Sequence, residues 1–557
     1  MAPSLTLNGK RRSELWPPIR RSHGPGYLLG SPDRVHRGPL AAPAAQSQAI
    51  AARRPNVVIL LADDLGFSDI GCSGGEIATP NLDKLAAGGL RFTSFYNTSR
   101  CWPSRAALLS GYYPQHVNRD PPGQRPAWAA LLPDLLKPAG YRSYHSGKWH
   151  VDGPVLAGGF DRSYHVEDPN HNFSPTDHRE DDHQLPRPTP AEGYYTTHNI
   201  ALRAVDWLAE HESKHRADPF FLYVAFLSPH FPLQAPPEDI ARYRDRYKGG
   251  WDVIRRQRWE RQSRLGIYQG ELSPRDPKTT ANGNPSEEVL RRKIGPGEVA
   301  RAVAWDGLTL EQKEFQAGKM AIHAAMVDRI DQEVGRILAK FEETGHLDDT
   351  LILFASDNGA SPEQLIRGDG HDMSAPAGSA KTFLGLGPGW STASNTPFRL
   401  HKSWVHEGGI STPLIVHWPS GISARGETRH APSHLVDVVP TLLQLAGVSS
   451  PPSHGGEPRP PLAGRSLVPA FATDAPIDRD FLFFKHVGNR AIRVGDWKLV
   501  AVKDGPWELY DLARDRVESH DLAAGRPDKV RELSAIWERQ DEEFRRQGAT
   551  GKPLPMP

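Results

Sequence analysis

The chain has 557 residues, with 67 Lys plus Arg against 66 Asp plus Glu, which leaves a formal net charge of +1. Nucleic-acid and membrane-surface proteins usually carry a basic excess, so this balance argues against both classes. No apolar run approaches the roughly 20 residues that cross a bilayer. The two cysteines, Cys72 and Cys101, are too few for a disulfide scaffold or a zinc–thiolate cluster.

Residues 1–53 lack the pattern of a folded segment. They are rich in Pro, Arg and Gly, and their short apolar clusters do not reach the length of a signal-peptide core. The composition predicts a disordered tail or a targeting tail, and an atypical export signal and a misplaced start codon stay open as alternatives. A main α/β domain is expected over residues 54–475, followed by a smaller α+β subdomain over residues 476–557.

Two short apolar runs have the length and branching of strands that are buried on both faces of a parallel sheet. They are Val57 to Ala62 and Thr350 to Ala355. Open α/β sheets bind ligands at the carboxyl ends of their strands. The polar side chains that follow these two runs are Asp63, Asp64, Asp357 and Asn358.

Helical spacing and strand alternation complete the fold prediction. Apolar residues recur every three or four positions from Ile322 to Phe341, which predicts a helix that ends near Gly345. Three alternating segments after Ser466 predict antiparallel hairpins, and residues 528–544 have helical spacing. We therefore predict an α/β fold with a large mixed, mostly parallel sheet flanked by helices, and a smaller C-terminal antiparallel sheet plus helix.

The paired acidic residues indicate a hard cation. These residues supply only oxygen donors, which Ca²⁺ and Mg²⁺ prefer and zinc does not. Adjacent aspartates such as Asp63 and Asp64 repel each other unless a cation lies between them. The alternative is that either pair forms helix caps or solvated turns, and the presence of both pairs at strand ends favours the metal site.

The segment CWPSRAALLSG begins at Cys101 and predicts a helix that starts near Pro103 and ends at Gly111. A helix N-terminus carries a partial positive charge and free N–H groups, which favour an anion. Arg105 adds a bidentate donor for oxyanions. The alternative is that Cys101 is an ordinary buried small residue.

Together these segments resemble the type I sulfatase family of the alkaline phosphatase superfamily. CWPSR at Cys101 to Arg105 fits the family pattern C-x-P-S-R. The other matching segments are NVVILLADD (56–64), TPNLDKLA (79–86), GKWH (147–150), SPHFP (228–232), SDNGA (356–360) and NTPFRLHKSWVHEGGISTP (395–413). The resemblance covers about residues 54 to 545 and is closest to the bacterial arylsulfatase branch.

The resemblance implies a role for each matching residue. A formylglycine-generating enzyme would oxidise Cys101 to formylglycine, whose hydrate is the nucleophile. Arg105 would anchor the hydrate, and His150 would remove a proton from it. His230 would protonate the leaving group. The resemblance further assigns sulfate contacts to Lys148 and Lys402, and a calcium ion, ahead of magnesium, to Asp63, Asp64, Cys101 as formylglycine, Asp357 and Asn358.

The implied function is hydrolysis of aryl or carbohydrate sulfate monoesters, without a nucleic-acid partner. A phosphonate or phosphodiester hydrolase of the same superfamily is one alternative, although its sites usually carry more histidine beside the aspartates. A sulfated-glycan binding protein with unconverted Cys101 is another. Binding alone would not require both His150 and His230, and the oxygen-rich ligand set favours the sulfatase.

Some features differ from the family pattern or allow two interpretations. The family commonly has an acidic residue where this chain has His198. The resemblance to the family also implies a periplasmic or secreted protein, although residues 1–53 carry no clear export signal. Cys72 is expected to be structural, with a disulfide to Cys101 as the alternative. Two interpretations stay open for Trp149, Trp390 and Trp404: they wall a substrate pocket, or they are ordinary packing residues.

Overall fold

The computed structural model describes residues 54–281, 283–368, 370–550 and 552, so the predicted tail over residues 1–53 lies outside the described residues. The strands are β1 (Asn56–Ala62), β2 (Leu90–Tyr96), β3 (Arg142–Gly147), β4 (Arg162–Val166), β5 (His178–Glu180), β6 (His183–Gln184), β7 (Phe220–Ala225), β8 (Thr350–Ser356), β9 (Ser411–His417), β10 (Glu427–Arg429), β11 (Ser433–His434), β12 (Ser453–His454), β13 (Glu457–Pro458), β14 (Leu482–His486), β15 (Asn489–Val494), β16 (Trp497–Ala501) and β17 (Glu508–Asp511). The α-helices are α1 (Pro80–Ala87), α2 (Cys101–Ser110), α3 (Leu132–Leu136), α4 (Thr196–Lys214), α5 (Pro237–Ala241), α6 (Gly250–Arg264), α7 (Glu287–Lys293), α8 (Leu310–Thr344), α9 (Pro388–Ser394), α10 (Glu407–Ile410), α11 (Val438–Ala446), α12 (Val468–Ala472) and α13 (Pro527–Thr550).

A mixed sheet of 11 strands forms the centre of the fold. Its strand order is β10-β2-β9-β8-β1-β7-β3-β4-β5-β6, and β11 also pairs with β2. The central strands β8, β1, β7 and β3 are parallel to their neighbours in that group, whereas β9 is antiparallel to both β8 and β2. The prediction of a mixed, mostly parallel sheet is therefore confirmed.

Helices cover both faces of this sheet. Along β1, Val58 and Leu60 pack in a core cluster with residues of α4 and α8. Val57 and Ile59 point to the opposite face, where the cluster includes α3 and α11. Because successive side chains of a strand point to opposite faces, a strand covered on both sides is apolar at every position. This explains the uninterrupted apolar run in β1.

Glycines end both α8 and the site helix α2. Helix α8 begins with a capping box between Thr309 and Gln312 and ends at Gly345, which has a left-handed φ of 74°. Helix α2 ends at Gly111, with a φ of 78°. Both helix ends lie where the sequence predicts them.

The C-terminal part contains a separate antiparallel sheet of four strands in the order β14-β15-β16-β17. Leu533 of α13 packs in one cluster with Ile492, Leu499 and Leu509 of this sheet. The sheet and the helix confirm the predicted C-terminal architecture, while the boundary between residues 475 and 476 stays a prediction. Among the described residues, no helix combines the length and apolar character needed to span a membrane.

Candidate active site

The predicted oxygen ligands meet at the carboxyl edge of the central strands. The register of β1 and β8 pairs Ala62 with Ser356. The next residues, Asp63 and Asp357, therefore leave the sheet side by side. Four side chains that carry oxygen are buried here: Asp63, Asp64, Asp357 and Asn358. The structure thus brings together the two acidic segments, although they are far apart in sequence.

Two cations bind these acids from separate elements. Arg105 on α2 donates from Nε and Nη2 to Asp357 Oδ2, at 2.9 and 2.7 Å. Lys148 follows β3 directly and donates to Asp63 Oδ2 at 2.5 Å. Gly147 makes this approach possible, because a Cβ at this position would lie 1.9 Å from a carbonyl oxygen of β7. Both cations compensate buried negative charge.

The third cation, Lys402, belongs to a longer chain of ion pairs. Lys402 Nζ donates to Asp64 Oδ2 at 2.8 Å and lies 3.3 Å from Glu363 Oε2. Glu363 Oε1 accepts from Arg100 Nη1 at 2.7 Å. Arg100 and Glu363 are not among the functional residues predicted from the sequence. Their only sequence signal is position, since Arg100 directly precedes Cys101 and Glu363 lies shortly after the SDNGA segment.

Two buried oxygens at this edge make no hydrogen bond to any described residue. They are Asp63 Oδ1 and Asn358 Oδ1. The orientation of the Asn358 amide is fixed by its Nδ2, which donates to Asp64 Oδ1 at 2.6 Å. Buried polar atoms are nearly always satisfied by a partner. Unpaired oxygens among carboxylates are what a site for a hard cation requires, so the residues present fit calcium or magnesium.

The charges of the two facing aspartates are coupled to each other. Burial raises the pKa of Asp357 well above its usual range, and the charge of Asp63 raises it further against the effect of Arg105. For Asp63, the penalty of burial is outweighed by nearby cations, led by Lys148, which hold its pKa well below the usual range. Facing acids whose pKa values diverge need a further cation to be ionised together.

Cys101 lies at the first position of α2, where its side chain is buried and its thiol is free. The exposed N–H groups of a helix N-terminus stabilise negative charge at this position. Lys148 and Lys402 are close enough to Cys101 to interact electrostatically with it. Cys72 is also a free thiol, so the alternative of a disulfide with Cys101 is not realised in the structure.

His150 lies close to Lys148 and Arg105. Its backbone has a strained left-handed conformation, with a φ of 52°. Its Nδ1 is buried and has no hydrogen-bond partner among the described residues. Burial, together with the positive charge of Lys148, lowers the pKa of His150 to about 3. The ring is therefore neutral near pH 7 and can accept a proton.

His230 lies on the other side of the acidic edge. Its Nδ1 is 2.6 Å from the carbonyl oxygen of Phe231, and its Nε2 is 3.7 Å from Asp64 Oδ2. A carbonyl only accepts hydrogen bonds, so Nδ1 carries a proton and Nε2 faces the site. Burial and the charge of Lys402 lower the pKa of His230 to about 4, against the opposing effect of Asp64.

The structure also places the residues whose role the sequence left open. Trp149 and Trp390 are almost fully buried in the protein core. Trp404 instead lines a cavity next to the site. His198 Nδ1 lies 2.9 Å from Glu333 Oε1, in a contact between α4 and α8 that is separate from the acidic edge.

Comparison with known proteins gives one consistent result. A family model described as sulfatase matches residues 55–448. A model described as the C-terminal part of N-sulphoglucosamine sulphohydrolase matches residues 398–543. An uncharacterized sulfatase of Schizosaccharomyces pombe is 32% identical, over 87% of this chain and 93% of that protein. An arylsulfatase of Klebsiella aerogenes is 30% identical, over 76% of this chain and 93% of that protein.

Solved structures share the fold. A sulfatase from Pseudoalteromonas sp. has a TM-score of 0.59 at 18% identity, over 93% of this chain and 97% of that chain. A protein solved in complex with its substrate, D-glucosamine-2-N,6-O-disulfate, has a TM-score of 0.62 at 21% identity, over 89% of this chain and 99% of that chain. At these identities the likeness concerns the fold alone.

Proposed function

Because this chain belongs to the sulfatase family and is a sulfuric ester hydrolase, we propose that it cleaves aryl or carbohydrate sulfate monoesters with a formylglycine made from Cys101. One observation carries the proposal. Cys101 starts a helix beside Arg105 and two buried lysines, at the edge where four oxygen-bearing side chains converge. Maturation would require a formylglycine-generating enzyme as a partner.

The acidic edge would hold a calcium ion, ahead of magnesium. The unpaired oxygens of Asp63 and Asn358 support this proposal, and so do the coupled charges of Asp63 and Asp357. When bound, the ion supplies positive charge that neutralises the acids and the oxygens of the sulfate group. The ligands proposed are Asp63, Asp64, Asp357, Asn358 and the modified residue 101.

Formylglycine at position 101 would supply the nucleophile for the sulfate ester in the form of its aldehyde hydrate. Arg105 is held rigidly by Asp357 and would fix the position of the hydrate. Lys148 and Lys402 would stabilise the negative charge that develops on the sulfuryl oxygens, and fixed charges in a dry site are strong contributors to catalysis.

Two histidines would move protons. His150 is neutral near pH 7 and would accept a proton from the hydrate, with Nδ1 as its unpaired nitrogen. His230 would donate a proton from Nε2 to the leaving oxygen, because its Nδ1 is engaged by Phe231. As an anion, a bound sulfate ester would raise the pKa of His230 and so favour the acid form.

The proposal is tested with protein that has been coexpressed with a formylglycine-generating enzyme. We expect turnover of 4-nitrophenyl sulfate with a higher kcat/KM than for 4-nitrophenyl phosphate or bis(4-nitrophenyl) phosphate. Chelation should remove the activity, and calcium should restore it better than manganese or zinc. A preference for the phosphodiester would establish the alternative hydrolase. Binding of sulfated glycan without turnover by converted protein would establish the binding-protein alternative.

A further inference from the structure

A cavity of about 210 Å³ lies beside Lys402. Its lining comes from five parts of the chain: the residues on either side of Cys101, Ala281, Glu363, residues 402–404, and the hairpin of β14 and β15. The volume is below the roughly 300–1,000 Å³ of pockets for drug-sized ligands, so it suits a single ring. The C-terminal sheet thereby contributes to the surroundings of the proposed reaction.

Three nitrogen atoms of lining residues are buried and make no hydrogen bond to any described residue. They are Arg100 Nε, Trp102 Nε1 and His486 Nε2. A buried polar atom without a partner is destabilising. Their presence around one small cavity indicates a ligand that supplies both hydrogen-bond acceptors and donors.

The neighbours of His486 define what its free nitrogen can do. Its Nδ1 lies 3.1 Å from Asp120 Oδ2, and Asp120 is itself held by Gln115 Nε2 at 3.3 Å. A carboxylate only accepts hydrogen bonds, so Nδ1 of His486 is the donor. In the neutral ring Nε2 is then an acceptor, whereas Arg100 Nε and Trp102 Nε1 are donors.

The indole of Trp102 connects this polar group to the proposed chemistry. Its ring centroid lies 5.4 Å from that of His486 and 5.8 Å from that of His150. The cavity is thus lined by Lys402, and Trp102 connects it to His150, so it lies next to the place where the leaving group of a sulfate ester would be bound.

Apolar side chains complete the lining. Val487 is 53% exposed and has a left-handed φ of 46°, which is unfavourable for a β-branched residue. Trp404 adds an aromatic surface. A lining with apolar surfaces and a few free polar atoms matches a ring that has C–H surfaces and hydroxyl groups at its edge.

We propose that this cavity binds the leaving group as a single pyranose ring, so that the substrates are carbohydrate sulfates, and that His486, Arg100 and Trp102 bind its hydroxyl groups. The inference rests on the proposed function and adds the substrate class. A hydroxyl group both donates and accepts, so neighbouring hydroxyls can satisfy all three nitrogens. An unsubstituted aryl group would leave each of them unpaired, and sites built to bind a hydroxyl discriminate strongly against analogues that lack it.

The test compares kcat/KM for the 3-, 4- and 6-sulfates of glucose and galactose with kcat/KM for 4-nitrophenyl sulfate. We expect His486→Asn to lower kcat/KM for the best pyranose sulfate about tenfold or more, and that for the aryl ester at most about threefold. Asp120→Asn, which acts by positioning His486, should change the ratio in the same direction. It keeps the test available if His486→Asn does not fold.

His430→Asn is the matched control, because His430 Nδ1 pairs with Asp474 Oδ2 at 2.7 Å on the surface, outside the cavity. This variant should leave kcat/KM for both substrates unchanged. Equal losses on both substrates in the His486 and Asp120 variants would overturn the inference. So would hydrolysis of the aryl ester without any pyranose sulfate, which would leave the sulfatase function intact. Absence of turnover of every ester by converted protein would instead overturn the proposed function itself.

Discussion

Buried charge is arranged in two contrasting ways in this protein. Under the C-terminal sheet, Lys498 lies between Glu407 Oε1 at 2.9 Å and Glu518 Oε1 at 2.8 Å. The other oxygen of Glu407 accepts hydrogen bonds from Tyr96 and Ser411, at 3.0 and 2.9 Å. Each Glu407 oxygen therefore has a partner within the protein.

The acidic edge of the main sheet is buried to the same degree but is not self-contained. Asp63 Oδ1 and Asn358 Oδ1 have no partner among the described residues. Burial and charge are thus shared by both regions, and they do not by themselves mark a functional site. Unpaired buried oxygens also occur elsewhere, for example Glu298 Oε1 and Gln262 Oε1. What distinguishes the acidic edge is that two unpaired oxygens lie among four converging side chains that carry oxygen.

The largest effect on kcat is expected when the reactive residue itself is removed. Replacing Cys101 by Ala removes the proposed nucleophile, so kcat for a sulfate ester should fall on the order of 10⁴-fold or more. The melting temperature should stay close to that of the unchanged protein. Cys72→Ala is the matched control and should keep kcat, and comparable kcat values for both variants would contradict the assignment.

A substitution in the cluster around Lys498 should change the stability of the protein rather than its kcat. Lys498→Met leaves the carboxylates of Glu407 and Glu518 buried without their cation, which should lower the free energy of unfolding by about 3–5 kcal/mol. Urea denaturation measures this change. Folded protein should retain its kcat, since Lys498 contacts no proposed catalytic residue. A loss of kcat without loss of stability would break the comparison.

Lys402 tests the catalytic side of the same contrast. Lys402→Ala removes one fixed positive charge from the site, so kcat should fall about 10²–10³-fold. Steady-state kinetics with 4-nitrophenyl sulfate separates kcat from KM. A rise in KM with unchanged kcat would show that Lys402 only binds the substrate.

The smallest effect concerns acid stability. Burial lowers the pKa of His116 to about 3 and, with the charge of Arg479, that of His434 to about 3. Below the ordinary pKa of about 6.5, the unfolded chain takes up protons that the folded protein excludes, so stability decreases as the pH falls from about 6.5 toward 3. Each of these histidines lowers the free energy of unfolding by roughly 1.4 kcal/mol for every pH unit of acidification in this range.

Denaturant unfolding between pH 6.5 and pH 5 measures this slope. His116→Asn should reduce it by the share of one histidine. An identical slope in the variant would show that His116 is not excluded from protonation in the folded protein.

The sequence predicts the elements whose signals are local. The apolar run before Asp63 predicts β1, and the spacing that ends at Gly345 predicts the end of α8. The convergence of Asp63 with Asp357 also follows from sequence, because parallel strands deliver their following residues to one edge. The antiparallel direction of β9 does not, since its apolar residues are compatible with either direction.

The cavity beside the site is beyond sequence reasoning. Arg100, Glu363 and His486 are brought together only by the fold, and none of them has a recognisable motif. The same limit applies to the tryptophans, since Trp390 and Trp404 look alike in sequence but only Trp404 lines the cavity. Residues of the cavity are therefore recognised from their positions in the fold rather than from their residue types.

The acidic edge should become a catalyst when Cys101 is converted to formylglycine. Trypsin cleaves after Arg100 and Arg105 and releases the peptide that contains this residue, whose mass gives the converted fraction. Across preparations with different conversion, kcat for a sulfate ester should rise in proportion to that fraction and extrapolate to zero without conversion. Multiple turnover by protein whose peptide carries only the thiol would contradict the account.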